Sequence, residues 1–398
     1  MGQNRFFIAD GILYWYDGET IREMKSGVTE RYINHLQEQA QRNEWKKTGS
    51  GAVFMGVAEP SADLAQQLAA VDARALCIGL YDGTLLYTQK IDDTSGIYRK
   101  STPQDLNEGV LLSDSNYNYR EFAVWKDQLA FTAAYGMQCH VGLYSLTGKE
   151  ETRFVTEGDS FEQYPAWEAD GSHLWFSSAG VAKADAVQDE SAAPQTPFGA
   201  RMPYLPPVLG PSALCRLQVE SGKMEEVLSD SAYDFLKGKP DGEGGFYYIR
   251  RPYQQPKSFS LGGCLLDILL LPVHLILGIV GFFNFFTMLF AGKPLSNSIG
   301  MTKQQDPKRV ILEDNLISAD KELRKNRRDP NPGIVPREME LRHHLATGED
   351  RLIRRGVIAY TLQPDQSVIF SNGSDLLQID RDGKETRIVK APHIVDVI

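Results

Sequence analysis

Residues 160–180 read SFEQYPAWEADGSHLWFSSAG. The run QYPAWE is a strand candidate, ADG is a tight turn, and SHLWFSS alternates apolar with polar residues as a half-buried strand does. Asp and Gly suit this turn because both tolerate the left-handed backbone of a two-residue hairpin. The stretch therefore predicts a β-hairpin with aromatic strands.

The hairpin recurs along the chain. Copies lie at 75–90, 121–135, 232–250 and 357–373, and a second hairpin follows most of them, at 142–155, 215–228, 341–353 and 376–389. Glycines fall at the same point of that second turn, where positive φ is needed: Gly148, Gly222, Gly348 and Gly383. Four strands per unit, joined by tight turns, indicate a small antiparallel sheet repeated around an axis, which is a β-propeller.

The stretch YPAWEADGSHLWFSS resembles the repeat of the TolB-like, WD-repeat-like β-propellers. The shared features are an aromatic first strand, an Asp-Gly turn and a Phe-Ser-Ser second strand. The resemblance covers residues 4–24, about 74–250 and about 337–398. It implies a fold and no reaction, because propellers carry many unrelated functions. TolB is periplasmic, whereas this sequence leads straight from Met1 into a strand, so TolB's cell-envelope role is not expected here.

We predict an all-β, six-bladed propeller. The last strand, HIVDVI (393–398), is expected to pair with three N-terminal strands within 5–24 and so close the ring. Blades one to four and the first part of the fifth then occupy 1–250. An insertion fills 251–336, and the rest of the fifth blade, the sixth blade and the closing strand occupy 337–398.

Three segments interrupt the blades. Residues 25–73 contain a predicted helix, ERYINHLQEQAQRNEWKK, and also SGAVFMG, which leaves a degenerate seventh blade open. Residues 180–212 form a proline-rich loop of the fourth blade, and 251–336 form the mostly helical insertion of the fifth. All three follow the second or fourth strand of a blade, so we expect them to project from one face.

The fifth-blade insertion contains a long apolar run at 261–291. The run exceeds the ~20 residues of one membrane crossing and is shorter than two crossings. Basic residues flank both ends, which favours both ends on the cytoplasmic side. We predict a re-entrant hairpin in membrane lipid, with these inserted residues: Leu265, Leu269, Leu271, Leu275, Ile279, Phe282, Phe283, Phe285, Phe286 and Leu289. A hairpin buried in a partner protein and a single span are the alternatives.

Polar residues in and after this run have two interpretations each. Asp267 and His274 form a candidate intramembrane polar pair, or both face the propeller at the interface. The segment 310–328 predicts an amphipathic helix from its stripe of Leu312, Leu316, Ala319 and Leu323. Its basic end, KELRKNRR, suits either an anionic membrane surface or an ordinary helix C-terminus.

The sequence offers little catalytic chemistry. It has no GxSxG nucleophile elbow. The adjacent histidines His343 and His344 point to opposite faces of a strand, so no metal site is expected. The four dispersed cysteines predict buried, reduced thiols, and the net charge of −10 argues against nucleic-acid binding. We expect no enzyme activity and no cofactor.

The predicted function is that of a scaffold on the cytoplasmic side of the inner (plasma) membrane, peripheral or monotopic. It would bind an unknown protein partner on the face that bears the insertions. The partner-binding loop would include Pro203, Tyr204, Pro206 and Pro207. The alternative is a small-molecule sensor or an enzyme that uses the central channel, with Asp170 or Asp241 contributing.

Overall fold

The computed structural model of the chain describes residues 5–43, 68, 70–148, 151–182, 208–254, 309–312, 315–391 and 393–398. These residues fall into two compact units. One comprises 1–253 together with 322–398, and the other comprises 254–321.

Strands dominate the described residues, and the helices α1 (Gly27–Asn43) and α2 (Ala319–Lys325) lie among them. The strands of the first half are β1 (Arg5–Ala9), β2 (Ile12–Tyr16), β3 (Ile21–Met24), β4 (Ala73–Tyr81), β5 (Thr84–Ile91), β6 (Thr94–Lys100), β7 (Gly109–Asp114), β8 (Asn118–Trp125), β9 (Gln128–Tyr135), β10 (Gln138–Ser145), β11 (Arg153–Phe154), β12 (Ser160–Trp167) and β13 (His173–Ala182). Those of the second half are β14 (Val208–Leu209), β15 (Ala213–Gln218), β16 (Met224–Leu228), β17 (Tyr233–Pro240), β18 (Phe246–Pro252), β19 (Arg309–Leu312), β20 (Asn315–Ser318), β21 (Glu340–His344), β22 (Asp350–Arg355), β23 (Ala359–Leu362), β24 (Val368–Ser371), β25 (Asp375–Ile379), β26 (Glu385–Lys390) and β27 (Ile394–Val397).

The strands form a propeller-like set of antiparallel sheets. Four sheets have four strands each, in the orders β27-β1-β2-β3, β4-β5-β6-β7, β17-β18-β21-β22 and β23-β24-β25-β26. A nine-stranded sheet runs from β8 to β16, and β11 and β14 pair at its sides. Its two halves, β8 to β11 and β12 to β16, are joined by one parallel pair, Cys139 with Phe161.

The first strands of these units contact one another in a circle. Contacts run from β27 to β4, β8, β12 and β17 in turn, and β23 contacts β27. Side-chain hydrogen bonds join β17 to β23, since Lys239 Nζ donates to the carbonyl oxygen of Tyr360. The C-terminal strand β27 pairs antiparallel with β1, with Phe7 opposite Val397, so the predicted closure of the ring is confirmed.

Apolar side chains fill the spaces between neighbouring sheets. Cys77, Leu86 and Ile97 of one sheet pack against Phe122 and Leu129 of the next. The predicted alternation along each strand produces this layer, because every second side chain faces the adjoining sheet.

The turns predicted to need glycine have the expected backbone. Gly148, Gly222, Gly348 and Gly383 all have positive φ, between 68° and 85°. Side chains other than Gly and a few polar residues are strained there, so these positions mark the same hairpin in successive units.

One predicted helix is present and one is wrong. Residues 27–43 form α1, which overlaps the helix predicted at 30–47. The helix expected over 310–328 is instead the hairpin β19–β20, followed by the short α2. Val310, Ile311 and Ile317 are β-branched, and such residues favour strands, which outweighs the helical spacing of the leucines.

Candidate functional site

Local irregularities mark the innermost strands. Each of β4, β8, β12, β17 and β27 carries one residue more than the strand it pairs with. A bulge of this kind bends the strand and re-aims side chains, and bulges are common beside functional sites. Outer strand pairs also carry bulges, but among the described strands only the first ones contact one another in a circle, so we look there for a site.

Two of these bulges hold bulky side chains in the left-handed region. Tyr164 has φ of 57° and Lys237 has φ of 54°. Such a backbone costs on the order of 1–3 kcal/mol for a residue other than glycine. The Lys237 ammonium lies 5.0 Å from the centroid of the Tyr164 ring, so the two strained positions face each other across neighbouring sheets.

The lysines of β17 reach across to the last sheet. Lys237 Nζ donates to the carbonyl oxygens of Ile358 and Val395, at 3.0 and 3.5 Å. Lys239 Nζ donates to the carbonyl oxygen of Tyr360 at 2.8 Å. The Tyr360 hydroxyl in turn donates to the carbonyl oxygen of Lys237 at 2.5 Å. These bonds tie β17 to both β23 and the closing strand β27.

Asp396 brings the opposite charge from the closing strand. Its Oδ2 accepts a hydrogen bond from the backbone amide of Ile78 in β4, at 3.1 Å. Burial raises the pKa of the Asp396 carboxyl, and the charges of Lys237 and Lys239 act in the opposite direction. Burial lowers the pKa of Lys239, and the Asp396 carboxylate opposes that change. We call Lys237, Lys239 and Asp396 the central cluster.

A second buried charged group fixes α1 to the ring. The ammonium of Lys100 and the carboxylate of Glu108 are 2.8 Å apart, and both side chains are fully buried. Lys100 also donates to the carbonyl oxygens of Lys25 and Asp105. The amides of Gly27 and Val28, which begin α1, donate to Glu108 at 3.1 and 2.9 Å. An anion at a helix N-terminus is favourable because the first amides lack partners within the helix.

The two aspartates proposed for the channel belong to turns. Asp170 Oδ1 accepts hydrogen bonds from the amide and the hydroxyl of Ser172. Asp241 Oδ1 accepts from the amides of Glu243 and Gly245, and its Oδ2 lies 2.8 Å from His343 Nε2. The structure brings neither one into the central cluster, and both carboxylates organise hairpins as Asx turns do.

Asp365 repeats the arrangement of Asp170 in the last sheet, because its Oδ1 accepts from the amide and hydroxyl of Ser367. The sequence pattern Asp-x-Ser thus marks a recurring turn.

The remaining predicted site residues lie outside the described residues. This applies to the ten apolar residues predicted to insert into lipid, to Asp267 and His274, and to Pro203, Tyr204, Pro206 and Pro207. Among the residues that the structure describes, no helix has the length and apolar character to span a membrane. Within the same residues, no group of three His, Cys, Asp or Glu side chains could hold a metal ion.

Three of the four cysteines are in the described part of the chain. Cys77, Cys139 and Cys215 are free and buried, as predicted. Burial raises the pKa of the Cys77 and Cys139 thiols, so neither has the thiolate character of a reactive cysteine.

The central cluster was missed by the sequence interpretation, although signals for it exist. Lys237 and Lys239 are charged residues two apart within a strand predicted to be innermost. Asp396 interrupts the apolar closing strand HIVDVI. Burying a charged side chain without partners costs free energy, so a charge at an innermost position suggests that partners are present. Each of the three residues was therefore a candidate for a role in the ring.

Comparisons with known proteins found similarity to solved structures only. No protein-family model matches the chain, and a comparison with curated proteins found no match. Solved structures that the chain resembles include TolB from Acinetobacter baumannii, with a TM-score of 0.46, 8% identity, and coverage of 99% of this chain and 66% of that chain. A chain of a nidogen/laminin complex has a TM-score of 0.47, 6% identity and coverage of 99% and 97%. Because the identities are so low, our description of the fold depends on the strand pairing.

Proposed function

We propose that the protein is a six-bladed propeller that acts as an interaction scaffold. The nine-stranded sheet counts as two blades in this proposal, since a single parallel pair joins its halves. Together with the four four-stranded sheets, these two blades make six units around one axis. The proposed function gives no residue a catalytic role.

The observation that carries the proposal is where the long connections leave the blades. They follow β3, β13 and β18, which are the fourth strand of one unit and the second strands of two others. In an up-and-down blade, the second and fourth strands end on the same side. The connections before β4, β15 and β21 therefore start from one face, and the opposite turns stay short. A rigid ring with one elaborated face is suited to holding partners.

The charged groups of the central cluster support the same function. In the central cluster, the two lysines donate to backbone carbonyls and Asp396 accepts from a backbone amide. These bonds link four sheets and use the polar groups for holding the ring. A ligand site would instead leave converging polar groups for the ligand.

The helix α1 is held firmly against the ring. Its first amides bind Glu108, and the Tyr32 hydroxyl donates to Asp92 Oδ2 at 2.7 Å in the turn between β5 and β6. We infer that α1 is a rigid part of the scaffold.

We further propose that the apolar run 261–291 attaches the scaffold to membrane lipid through a re-entrant hairpin, at the cytoplasmic side of the inner membrane. The support is its length and its flanking basic residues. Burial of the run in a partner protein is the alternative that the experiment must separate.

Flotation of the full-length protein with liposomes of a 7:3 ratio of neutral to anionic lipid tests the attachment. We expect the protein to float, and a variant lacking 258–296 to stay at the bottom with an unchanged melting temperature. The proposed attachment is wrong if the intact protein stays at the bottom as a monodisperse species.

The scaffold itself is tested by co-purification with partners from the native host, followed by reconstitution with the purified partner. Replacing 194–207 with a Gly/Ser linker of equal length should abolish partner binding and leave β14 intact. Asp170→Ala and Asp241→Ala are matched controls and should bind normally. A cellular defect from either aspartate variant with the fold intact would favour the sensor or enzyme.

A further inference from the structure

A partly exposed aromatic patch lies on the third unit of the ring. It consists of Tyr117, Tyr135 and Phe154, with ring centroids 6.1 Å apart for Tyr117 and Tyr135 and 5.4 Å apart for Tyr117 and Phe154. Tyr135 is 63% exposed and Phe154 is 43% exposed, and the neighbouring Met137 is also 43% exposed. Contiguous exposed apolar side chains of this size mark interaction sites more often than single exposed residues do.

The patch is rigid because it rests on the core. Phe154 contacts Phe131, which is 1% exposed, at a centroid distance of 5.9 Å. Phe131 fits there because Gly142 has no side chain, and a Cβ on Gly142 would lie 2.3 Å from the Phe131 ring. The rings of the aromatic patch are therefore held in place before any ligand binds, which lowers the entropy cost of binding.

The patch lies on the same side of the ring as the proline-rich connection. Tyr135 ends β9 and Tyr117 precedes β8, so both belong to the connections that face this side. The proline-rich connection leaves after Ala182 and returns at Val208, and these two residues pair with each other.

Both ends of that connection are close to the patch. The amide of Val181 donates to the carbonyl oxygen of Asp159 at 2.9 Å. Asp159 Oδ1 accepts from Gln138 Nε2 at 2.6 Å, and Gln138 pairs with Tyr135. Three contacts thus separate the start of the connection from the centre of the patch. Half of the connection is about 12 residues, which span about 37 Å at about 3.1 Å each. This length is sufficient for the middle of the connection to reach the patch.

The chemistry of the connection matches an aromatic surface. Residues 194–207 read PQTPFGARMPYLPP and contain two P-x-x-P patterns. Extended proline-rich segments bind aromatic-lined surfaces, since their preferred backbone loses little entropy on binding.

We propose that the aromatic patch is the docking site of this chain's own segment 194–207. The inference goes beyond the scaffold proposal, because it concerns binding within one molecule. A partner that recognises the segment would then compete with the patch for it.

Trypsin provides a direct test, because Arg201 is a cleavage site inside the segment. The full-length protein is digested briefly, and cleavage after Arg201 is followed by intact mass. We expect Tyr135→Ser and Phe154→Ser to accelerate this cleavage by about tenfold relative to the unchanged protein, since local opening governs proteolysis. Met224→Ser is the matched control, because Met224 is apolar and 55% exposed in another unit. It should leave the rate unchanged.

Equal cleavage rates in all four proteins, with equal melting temperatures, would overturn the proposal. Protection that grows with protein concentration would also overturn it, because the occupant would then be a second copy. In a confirming arm, a labelled peptide of residues 192–207 is added to the variant whose segment 194–207 is a Gly/Ser linker. It should bind there more tightly than to the unchanged protein, and a peptide with its prolines replaced by alanine should not bind. Tyr135→Ser and Phe154→Ser could lose partner binding and still be cleaved by trypsin at the unchanged rate. That result would contradict this inference and leave the scaffold proposal standing.

Discussion

Two lysines that donate to backbone carbonyls in this ring have different environments. Lys100 contacts the carboxylate of Glu108 directly at 2.8 Å and donates to two further carbonyl oxygens. Lys239 donates to one carbonyl oxygen, that of Tyr360, and interacts with Asp396 through its charge. The first lysine has a matched partner for its charge, and the second is held mainly by a neutral acceptor.

The difference reflects what each group holds together. Lys100 and Glu108 lie between a sheet and the start of α1, where a direct ion pair fixes one helix end. Lys239 lies among first strands from several sheets, where each carbonyl and amide belongs to a different part of the ring. Buried ion pairs are weak evidence for stability, but removing one partner is strongly destabilising. The two sites should therefore respond unequally to loss of the lysine.

The largest effect is expected from Lys100→Met. The change leaves the Glu108 carboxylate buried without its counter-charge, and we expect the free energy of unfolding to fall by about 3–5 kcal/mol. Urea unfolding followed by tryptophan fluorescence measures it. Arg42→Met is the control, because Arg42 and Glu38 form an exposed pair of the kind worth about 0–1 kcal/mol. A loss at Lys100 no greater than that of the control would contradict the role of the pair.

A smaller effect is expected from Lys239→Met. The carbonyl oxygen of Tyr360 loses its donor, which costs about 1–3 kcal/mol for a buried acceptor. Burial lowers the pKa of Lys239, because holding the charged form away from water is unfavourable. Methionine removes this unfavourable charge, which offsets part of the stability lost at the carbonyl. The same urea experiment should place Lys239→Met between Lys100→Met and the Arg42 control. If Lys239→Met were the most destabilising of the three, the distinction between the sites would be lost.

The smallest and most specific effect is a pH dependence at Asp396. Its pKa in the folded protein is raised above the ordinary value of 3.8, mainly by burial. Between 3.8 and the raised pKa, the folded state binds more protons at this group than the unfolded state does. Stability from this group is therefore lost as the pH rises through that window.

We expect the free energy of unfolding of the unchanged protein, minus that of Asp396→Asn, to decline over the same window. Urea unfolding at a series of pH values measures the difference. A difference that grows with pH would mean that the lysines outweigh burial at this carboxyl.

Short-range patterns in the sequence were sufficient for the blade strands. Aromatic strands around Asp-Gly turns, and glycines at 148, 222, 348 and 383, depend on backbone preferences that hold wherever such residues occur. The closing strand was predictable as well, because an orphan strand at one end and an incomplete sheet at the other have one economical pairing. The helix over 310–328 was predicted wrongly, since its leucine spacing fitted a helix while its β-branched residues favoured strands.

Sequence alone therefore determined the repeating antiparallel sheets, the positive-φ turns and the pairing of the chain's two ends, because these follow from preferences of neighbouring residues. Tertiary structure alone decided which charges meet. Asp396 lies more than a hundred residues along the chain from Lys237 and Lys239, and one extra residue in β17 and in β27 sets the positions of these three residues in the ring. A bulge depends on how a strand fits its partner and the neighbouring sheets, and no local pattern specifies it. No local pattern specifies the pairing of Lys100 with Glu108 either. The contribution of this ion pair to stability depends on the start of α1, which the two side chains bind.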